Sequence, residues 1–309
     1  MNKKRAIGGF LLSFVFLALF MYGISGVQWL FESSFSGQSK ETFLGDIYSG
    51  VQNLNSGNKI VDDVPKNLPP DIIAESAVSI ESNLTDKDEV IFEKLADTKL
   101  PIASLTKLMT AVVVLDNYDL SDIISVSKIA DSQDMIKQDV KLGSTMPVGD
   151  FLEIMLVGSS NKSAYALSEK LGTEEFISLM NQKAKNLGLK NTFFADPTGL
   201  SAQNVSTAND LAKLAKHILI NYPKIADISR VQEMYSPNFG VVVNTDQLLG
   251  EIPDIVCSKT GFTTQAKGCL LLVVDNPKNN NYLINVILGS DDRFSEMRKI
   301  INWSSSICK

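Results

Sequence analysis

The hydrophobic positions of this chain fall into three regimes. In the first, Ala6–Phe31 carries no charge and follows the basic start Lys3-Lys4-Arg5. About 20 apolar residues suffice to cross the hydrocarbon core, so the run predicts one N-terminal transmembrane helix. Tyr22 and Trp29 toward its far end suit a membrane interface, and the basic residues predict a cytoplasmic N-terminus with the body of the chain outside. A cleaved secretory signal is the rival reading, because Gly23 and Ser25 stand at a permissible spacing before Gly26. The apolar run continues through Val27, Trp29, Leu30 and Phe31, longer than a usual signal core, and this favours an uncleaved anchor.

The second regime, residues 32–72, is polar and aperiodic. Ser, Gly and Asn recur in it, and Pro65, Pro69 and Pro70 precede the first strand-like run. That composition reads as a spacer, which lets a tethered domain reach a substrate lying beyond the membrane. The expected organisation is an anchor over 1–31, the spacer over 32–72 and a folded domain over 73–309.

In the third regime the period alternates between strand and helix. Ala77–Ile80 and Glu89–Phe92 predict paired strands, and Ser104–Asn117 predicts a helix that is apolar almost all round and therefore buried. Residues 149–221 read as mostly helical. Gly158 ends one helix, Ser163–Leu171 forms the next, Thr173 caps a third with Glu174 and Glu175 in its first turn, and Thr207 to Asp210 forms a cap before Leu211. Strands return at Val241–Val243, Asp254–Phe262, Gly268–Val274 and Tyr282–Leu288, and a closing helix spans Arg293–Trp303. A sheet with strands from both ends of the chain and helices inserted between them is an α/β architecture with a helical lobe.

Composition narrows the chemistry. The chain has 309 residues and a net charge of −6, and its only charges before Glu32 are the three basic ones, so the body is acidic. Without a basic stripe, nucleic acid is not expected as a partner. Three cysteines are too few for a disulfide scaffold, and no Cys or His cluster has metal-ligand spacing; no metal or cofactor is expected. The single histidine, His217, lies off the apolar stripe Leu211, Leu214, Ala215, Ile218, Leu219, which argues against a Ser-His-Asp mechanism.

A serine can still be activated by an amine. Ser104-Leu-Thr-Lys107 opens the buried helix, and residues at i and i+3 share a helix face, so Lys107 should lie beside the Ser104 hydroxyl. Burial disfavours a charged lysine, and free N–H groups at the helix start can stabilise an oxyanion. Ser159-Ser160-Asn161 lies between two helices, where alone it would be an N-cap. Lys259-Thr260-Gly261 ends a strand-like run, where alone it would be the polar approach to a hairpin. In this order, S-x-x-K, an S-x-N element and K-T-G form the signature of penicillin-binding proteins and class A β-lactamases.

Over about residues 73–305 the chain resembles the low-molecular-mass penicillin-binding proteins, the serine D-alanyl-D-alanine carboxypeptidases. Further segments carry the likeness: Pro101-Ile-Ala-Ser-Leu-Thr-Lys-Leu-Met-Thr, Asn186-Leu-Gly-Leu-Lys-Asn-Thr-Phe-Phe, Asp196-Pro-Thr-Gly-Leu-Ser and Lys259-Thr-Gly-Phe-Thr-Thr-Gln-Ala-Lys-Gly. The resemblance implies a β-lactamase/transpeptidase-like fold, with a five-stranded antiparallel sheet, packed helices and a helical lobe. It implies that Ser104 forms an acyl-enzyme with Lys107 as general base, that Ser159 relays a proton and that Asn161 holds the peptide amide. Lys259 and Thr260, followed by Gly261, would bind the terminal carboxylate of a peptidoglycan stem peptide ending in D-Ala-D-Ala, or that of a penicillin. The backbone N–H groups of Ser104 and Phe262 would form the oxyanion hole. Relatives also carry a carboxylate-binding arginine at a similar distance before a tryptophan, which points to Arg293 ahead of Trp303; the plainer alternative pairs Arg293 with Asp291 or Asp292 on the surface.

The sequence departs from the family pattern in two places. Cys257 stands where many relatives have glycine, which leaves the local strand packing open. Many relatives also continue past Lys309 into a β-rich domain and an amphipathic anchor, so the N-terminal segment is expected to hold the membrane here. Cys257 and Cys269 are symmetric about Thr263 and could face each other across a hairpin, but disulfide geometry is restrictive and two buried thiols are expected. Three other functions compete. A class A β-lactamase needs a water-activating Glu that Phe193–Ser201 lacks, a D,D-endopeptidase would use the same motifs, and an inactive scaffold would have no need of them intact.

Overall fold

A computed structural model of the protein describes residues 68–85, 88–133, 140–276, 279 and 281–307. The anchor and all of the spacer before Leu68 lie outside the described residues. Among the described residues no helix is long and apolar enough to cross a membrane.

Strands β1 (Ser76–Ser82) and β2 (Glu89–Lys94) pair antiparallel, as the alternation predicts. Two-residue β3 (Leu100–Pro101) and a 3-10 turn at Ala103–Leu105 lead into α1 (Thr106–Asn117). Its residues are buried from Thr106 through Val114, so the helix runs through the core with no solvent face over that length. Short β4 (Ile123–Ser125), α2 (Lys128–Asp131) and β5 (Thr145–Pro147) follow, then α3 (Val148–Val157), α4 (Asn161–Glu169) and α5 (Thr173–Asn186). Two-residue β6 (Val205–Ser206), which pairs with β3, precedes α6 (Ala208–Asn221). Then come α7 (Pro223–Ser229), the hairpin of β7 (Glu233–Ser236) and β8 (Gly240–Val243), the long strands β9 (Ile255–Thr263), β10 (Lys267–Asn276) and β11 (Asn281–Ser290), and α8 (Arg293–Ile307).

The main sheet is five-stranded in the order β2-β1-β11-β10-β9, and every neighbouring pair is antiparallel. The architecture is therefore α+β, with a helical lobe inserted between β2 and β9. Cys269–Val274 reads as an unbroken apolar run because both faces of the sheet are covered. Cys269, Leu271 and Val273 join the large core shared with α1 and the helical lobe, while Leu270, Leu272 and Val274 join a smaller core under α8. Strand β9 is left at the sheet edge, facing the start of α1.

Helix punctuation differs from expectation by a residue or two. Thr207 Oγ1 caps α6 by accepting from Asp210 N at 3.0 Å, as predicted. Gly172, not Thr173, is the N-cap of α5, and α4 starts at Asn161, not Ser163. Helix α7 begins on Pro223, a good first helical residue, but too few apolar positions follow for its period to show in the sequence.

Candidate active site

The first catalytic candidate sits where a bent segment enters a buried helix. Ile102 N donates to Asn204 O at 3.1 Å, and Ala103 then adopts φ +46°, a left-handed turn that swings Ser104 to the head of α1. One turn on, Lys107 is fully buried. Its Nζ lies 2.9 Å from Ser104 Oγ, 2.7 Å from Asn161 Oδ1 and 2.6 Å from Thr198 O. The predicted i, i+3 juxtaposition is present.

Ser159 closes a second side. It lies between α3 and α4 with φ +63°, a conformation that costs a non-glycine residue free energy and that recurs at functional sites. Ser160 does the capping the sequence pattern would give to this segment, its Oγ accepting from Ser163 N at 2.9 Å. Ser159 is therefore free of that task, and its Oγ lies 2.9 Å from Lys259 Nζ. Asn161, the first residue of α4, faces Lys107.

Strand β9 brings up the third side. Lys259 is buried, and burial pushes its amine down to about 7; the neighbouring Asp246 carboxylate opposes that shift and the Arg293 cation adds to it. Lys259 and Gly261 alternate onto the same side of the strand. A Cβ on Gly261 would come within 2.9 Å of Ser104 N and 3.1 Å of Ile102 O, so only glycine lets the strand edge lie against the backbone of Ser104. The side chain of Phe262 points outward and is 66% exposed.

These elements enclose a cleft of about 500 Å³ lined by Ser104, Ser159, Asn161, Thr245, Thr260 and Arg293, among others. Arg293, the first residue of α8, is half-buried, and burial lowers its pKa. The surface pairing with Asp291 or Asp292 does not form. Asp291 lies 3.8 Å from Lys267, and Asp292 accepts from Ser295 N at 3.2 Å. Arg293 Nε has no hydrogen-bond partner among the described residues, and the guanidinium stacks on Phe294 at 4.6 Å.

Sequence reasoning missed three contributors. Asp196 organises the loop that presents Thr198 O to Lys107: its carboxylate accepts from Thr198 N and Oγ1 at 2.6 Å and from Gly199 N and Ser201 N at 2.7 Å. The run Asp196-Pro-Thr-Gly signals a tight turn, but nothing in it signals contact with Lys107. Thr245 and Asp246 lie on a loop after β8 with no motif at all. His217 takes no part, since its ring packs on Tyr222 at 5.4 Å and burial lowers its pKa.

Cys257 and Cys269 are both free and buried. The β9–β10 hairpin pairs Thr263 with Lys267 and Cys269 with Gly261, so it turns about Gln265 and not Thr263, and Cys257 stands opposite Val273. The two thiols never face each other. Burial pushes them up to about 11 and about 12 respectively. Cys257 packs against α7, accepting from Ser229 Oγ at 3.5 Å, so the strand accommodates a side chain at this position.

A serine beside a buried lysine, a second serine beside a second buried lysine, and an arginine over the same cleft define a serine hydrolase of the penicillin-binding class. Residues 63–292 match the D-alanyl-D-alanine carboxypeptidase family, peptidase S11. The chain is 35% identical over 249 residues to a D-alanyl-D-alanine endopeptidase of Escherichia coli, covering 76% of this chain and 78% of that protein. It is 33% identical over 248 residues to the D-alanyl-D-alanine carboxypeptidase DacF of Bacillus subtilis, covering 75% of this chain and 62% of DacF. Among solved structures, penicillin-binding protein D2 of Listeria monocytogenes in its cefotaxime-bound form superimposes with a TM-score of 0.69 at 26% identity, covering 77% of this chain and 99% of that one. The chain belongs to the D-alanyl-D-alanine carboxypeptidase family and has its penicillin-binding, transpeptidase-like α+β fold.

Proposed function

We propose that this protein is a serine D-Ala-D-Ala carboxypeptidase that removes the terminal D-Ala from peptidoglycan stem peptides through an acyl-enzyme on Ser104, and that penicillins acylate the same residue. The observation that carries this reading is the environment of the Lys107 amine. As a free amine, Lys107 has two N–H donors and one lone pair. Donation to Asn161 Oδ1 and Thr198 O, 2.7 and 2.6 Å away, holds Nζ 2.9 Å from Ser104 Oγ, where the neutral amine can turn its lone pair to the hydroxyl proton.

In the reaction, the Ser104 proton passes to Lys107 as Oγ attacks the carbonyl carbon of the penultimate D-Ala. The backbone N–H groups of Ser104 and Phe262 receive the oxyanion, with Gly261 making the close approach possible. The peptide C–N bond then breaks. The leaving nitrogen takes a proton through Ser159, whose hydroxyl Lys259 supports, and Asn161 holds the peptide amide. Lys259, Thr260 and Arg293 hold the terminal carboxylate. The proton that reaches the leaving nitrogen is the one Lys107 took from Ser104, so the amine is neutral again. Water then attacks the acyl-enzyme and gives a proton to Lys107, and Lys107 passes it to Ser104 Oγ as the ester bond breaks. The cefotaxime bound to the Listeria relative supports β-lactam recognition. Against a class A β-lactamase, the loop's one carboxylate, Asp196, is already committed to four donors.

The E. coli relative's endopeptidase activity keeps a second reading in play, cleavage of peptide cross-links. Arg293 separates the two. If it grips the free terminal carboxylate, Arg293→Ala should lower kcat/KM on D-Ala-D-Ala peptides roughly ten- to a hundredfold, what ~1.5–3 kcal/mol of charged hydrogen bond is worth. A peptide amidated at its C-terminus should be a poor substrate for the wild type and lose little more in the mutant. Equal wild-type turnover of free and amidated peptides, followed by chromatography of the products, would favour the endopeptidase.

We also propose that Ala6–Phe31 anchors the enzyme in the cell membrane with its catalytic domain extracytoplasmic. The uncharged run behind a basic start supports this. The protein should stay with membranes through a high-salt wash, and a chain starting near Glu32 should be soluble and active. Recovery of a mature N-terminus at Gly26 would show cleavage instead.

A further inference from the structure

Thr245 lines the cleft but has no part in the chemistry above. It lies on the loop after β8, which is pinned at both ends. Asn244 Nδ2 donates to Ser229 O at 3.0 Å and to Val231 O at 2.8 Å, while its Oδ1 accepts from Asp246 N at 2.9 Å. Asp246 in turn accepts from Leu248 N at 2.9 Å and from the Ser258 hydroxyl on β9. A rigid support therefore presents the Thr245 hydroxyl to the cleft, where Oγ1 hydrogen-bonds to Thr260 Oγ1.

That pairing has a chemical consequence. Each hydroxyl owns one proton and two lone pairs, so the pair has two protons and spends one internally. The second proton has no acceptor among the described residues. Arg293 Nε lines the same cleft and also lacks a partner among the described residues. The spare hydroxyl proton and the Nε–H of cationic Arg293 together call for an anionic group with several lone pairs, and a carboxylate meets that requirement. Thr260 alone could turn its hydroxyl through several staggered positions, whereas Thr245 fixes one direction.

We infer that Thr245 is a specificity-determining residue, which with Thr260 forms a two-hydroxyl unit that delivers a single oriented O–H to the carboxylate of the leaving group. The unit selects substrates whose leaving group carries that carboxylate. This rests on the carboxypeptidase reading and extends it to a residue outside the three motifs.

The test uses the full chain and two acyl-D-alanine thioesters, one whose leaving thiol bears a carboxylate and one whose leaving thiol ends in a neutral methyl group. Thioesters are reactive enough for both to be turned over. Thr245→Val keeps the shape and removes the hydroxyl; it should lower kcat/KM for the carboxylate thioester roughly tenfold, the worth of one hydrogen bond to a charged group. The neutral thioester should be turned over as by the wild type, and Thr245→Ser should restore the wild-type preference. Equal losses on both thioesters would assign Thr245 a merely structural role, and no loss on either would remove it from recognition. Both results overturn the inference while wild-type turnover continues. A wild type that forms no acyl-enzyme with either thioester would overturn the carboxypeptidase reading instead.

Discussion

Lys107→Arg should abolish nearly all acylation by penicillin while the positive charge is kept. Arg stays protonated in proteins, so it offers no lone pair to the Ser104 hydroxyl. General-base catalysis is typically worth about 10²–10⁴ in rate, and the loss should fall in that range or beyond it. The larger guanidinium must also fit a fully buried site whose acceptors, Asn161 Oδ1 and Thr198 O, are set 2.7 and 2.6 Å from a compact amine. Lys107→Met, neutral and similar in length, separates that steric cost from the chemistry. Both variants should lose acylation, and thermal melting will show whether either remains folded. A folded Arg variant with near-normal acylation kinetics would remove Lys107 from the role of base.

The second large effect is expected from a residue that touches no substrate. Gly199 has φ +89°, and a Cβ there would stand 2.0 Å from Ala103 O and 2.9 Å from Ser104 N. Gly199→Ala therefore has to push the loop away from the nucleophile segment. The backbone conformation alone costs on the order of 1–3 kcal/mol, and a displacement of ~1 Å at a reacting group can cost about a hundredfold in rate. Thr198 O is the neighbouring carbonyl and would move with the loop, loosening the hold on Lys107. Gly188 is the control. It too has a positive φ, +68°, but an added Cβ would meet nothing within 4 Å. Gly188→Ala should lower the melting temperature and leave acylation intact. Equal acylation by the two variants would mean that the approach of the loop to Ser104 carries no catalytic weight.

Much of the site was legible because its chemistry depends on short spacings. Ser104 and Lys107 lie one helical turn apart, and the apolar period of α1 already marks their surroundings as buried. The three motifs could be ordered along the chain but not placed in space, since β9 meets the start of α1 only through the fold of the sheet. What the sequence hid was contributed by backbone or by loops. The Lys107 acceptor at Thr198 is a main-chain carbonyl, which leaves no side-chain trace. Thr245 reaches Thr260 because Asn244 and Asp246 pin an irregular loop, a contact that no periodicity encodes. The hairpin centre was misjudged by two residues because Thr263, Thr264 and Gln265 are all plausible turn residues, and only the register of β9 on β10 decides among them. That Arg293 is half-buried and unpaired with Asp291 or Asp292 had no mark in the sequence, because it depends on how the start of α8 packs on the sheet.

The central claim, that Ser104 is the acylated nucleophile, is tested most directly by the intact mass of the protein after incubation with a penicillin. One penicillin per chain should be added to the wild type, and digestion should place it on the peptide that contains Ser104. Ser104→Ala should melt as the wild type does and gain no mass. A label that persists in Ser104→Ala, or that maps to Ser159 or any other serine, would contradict the account.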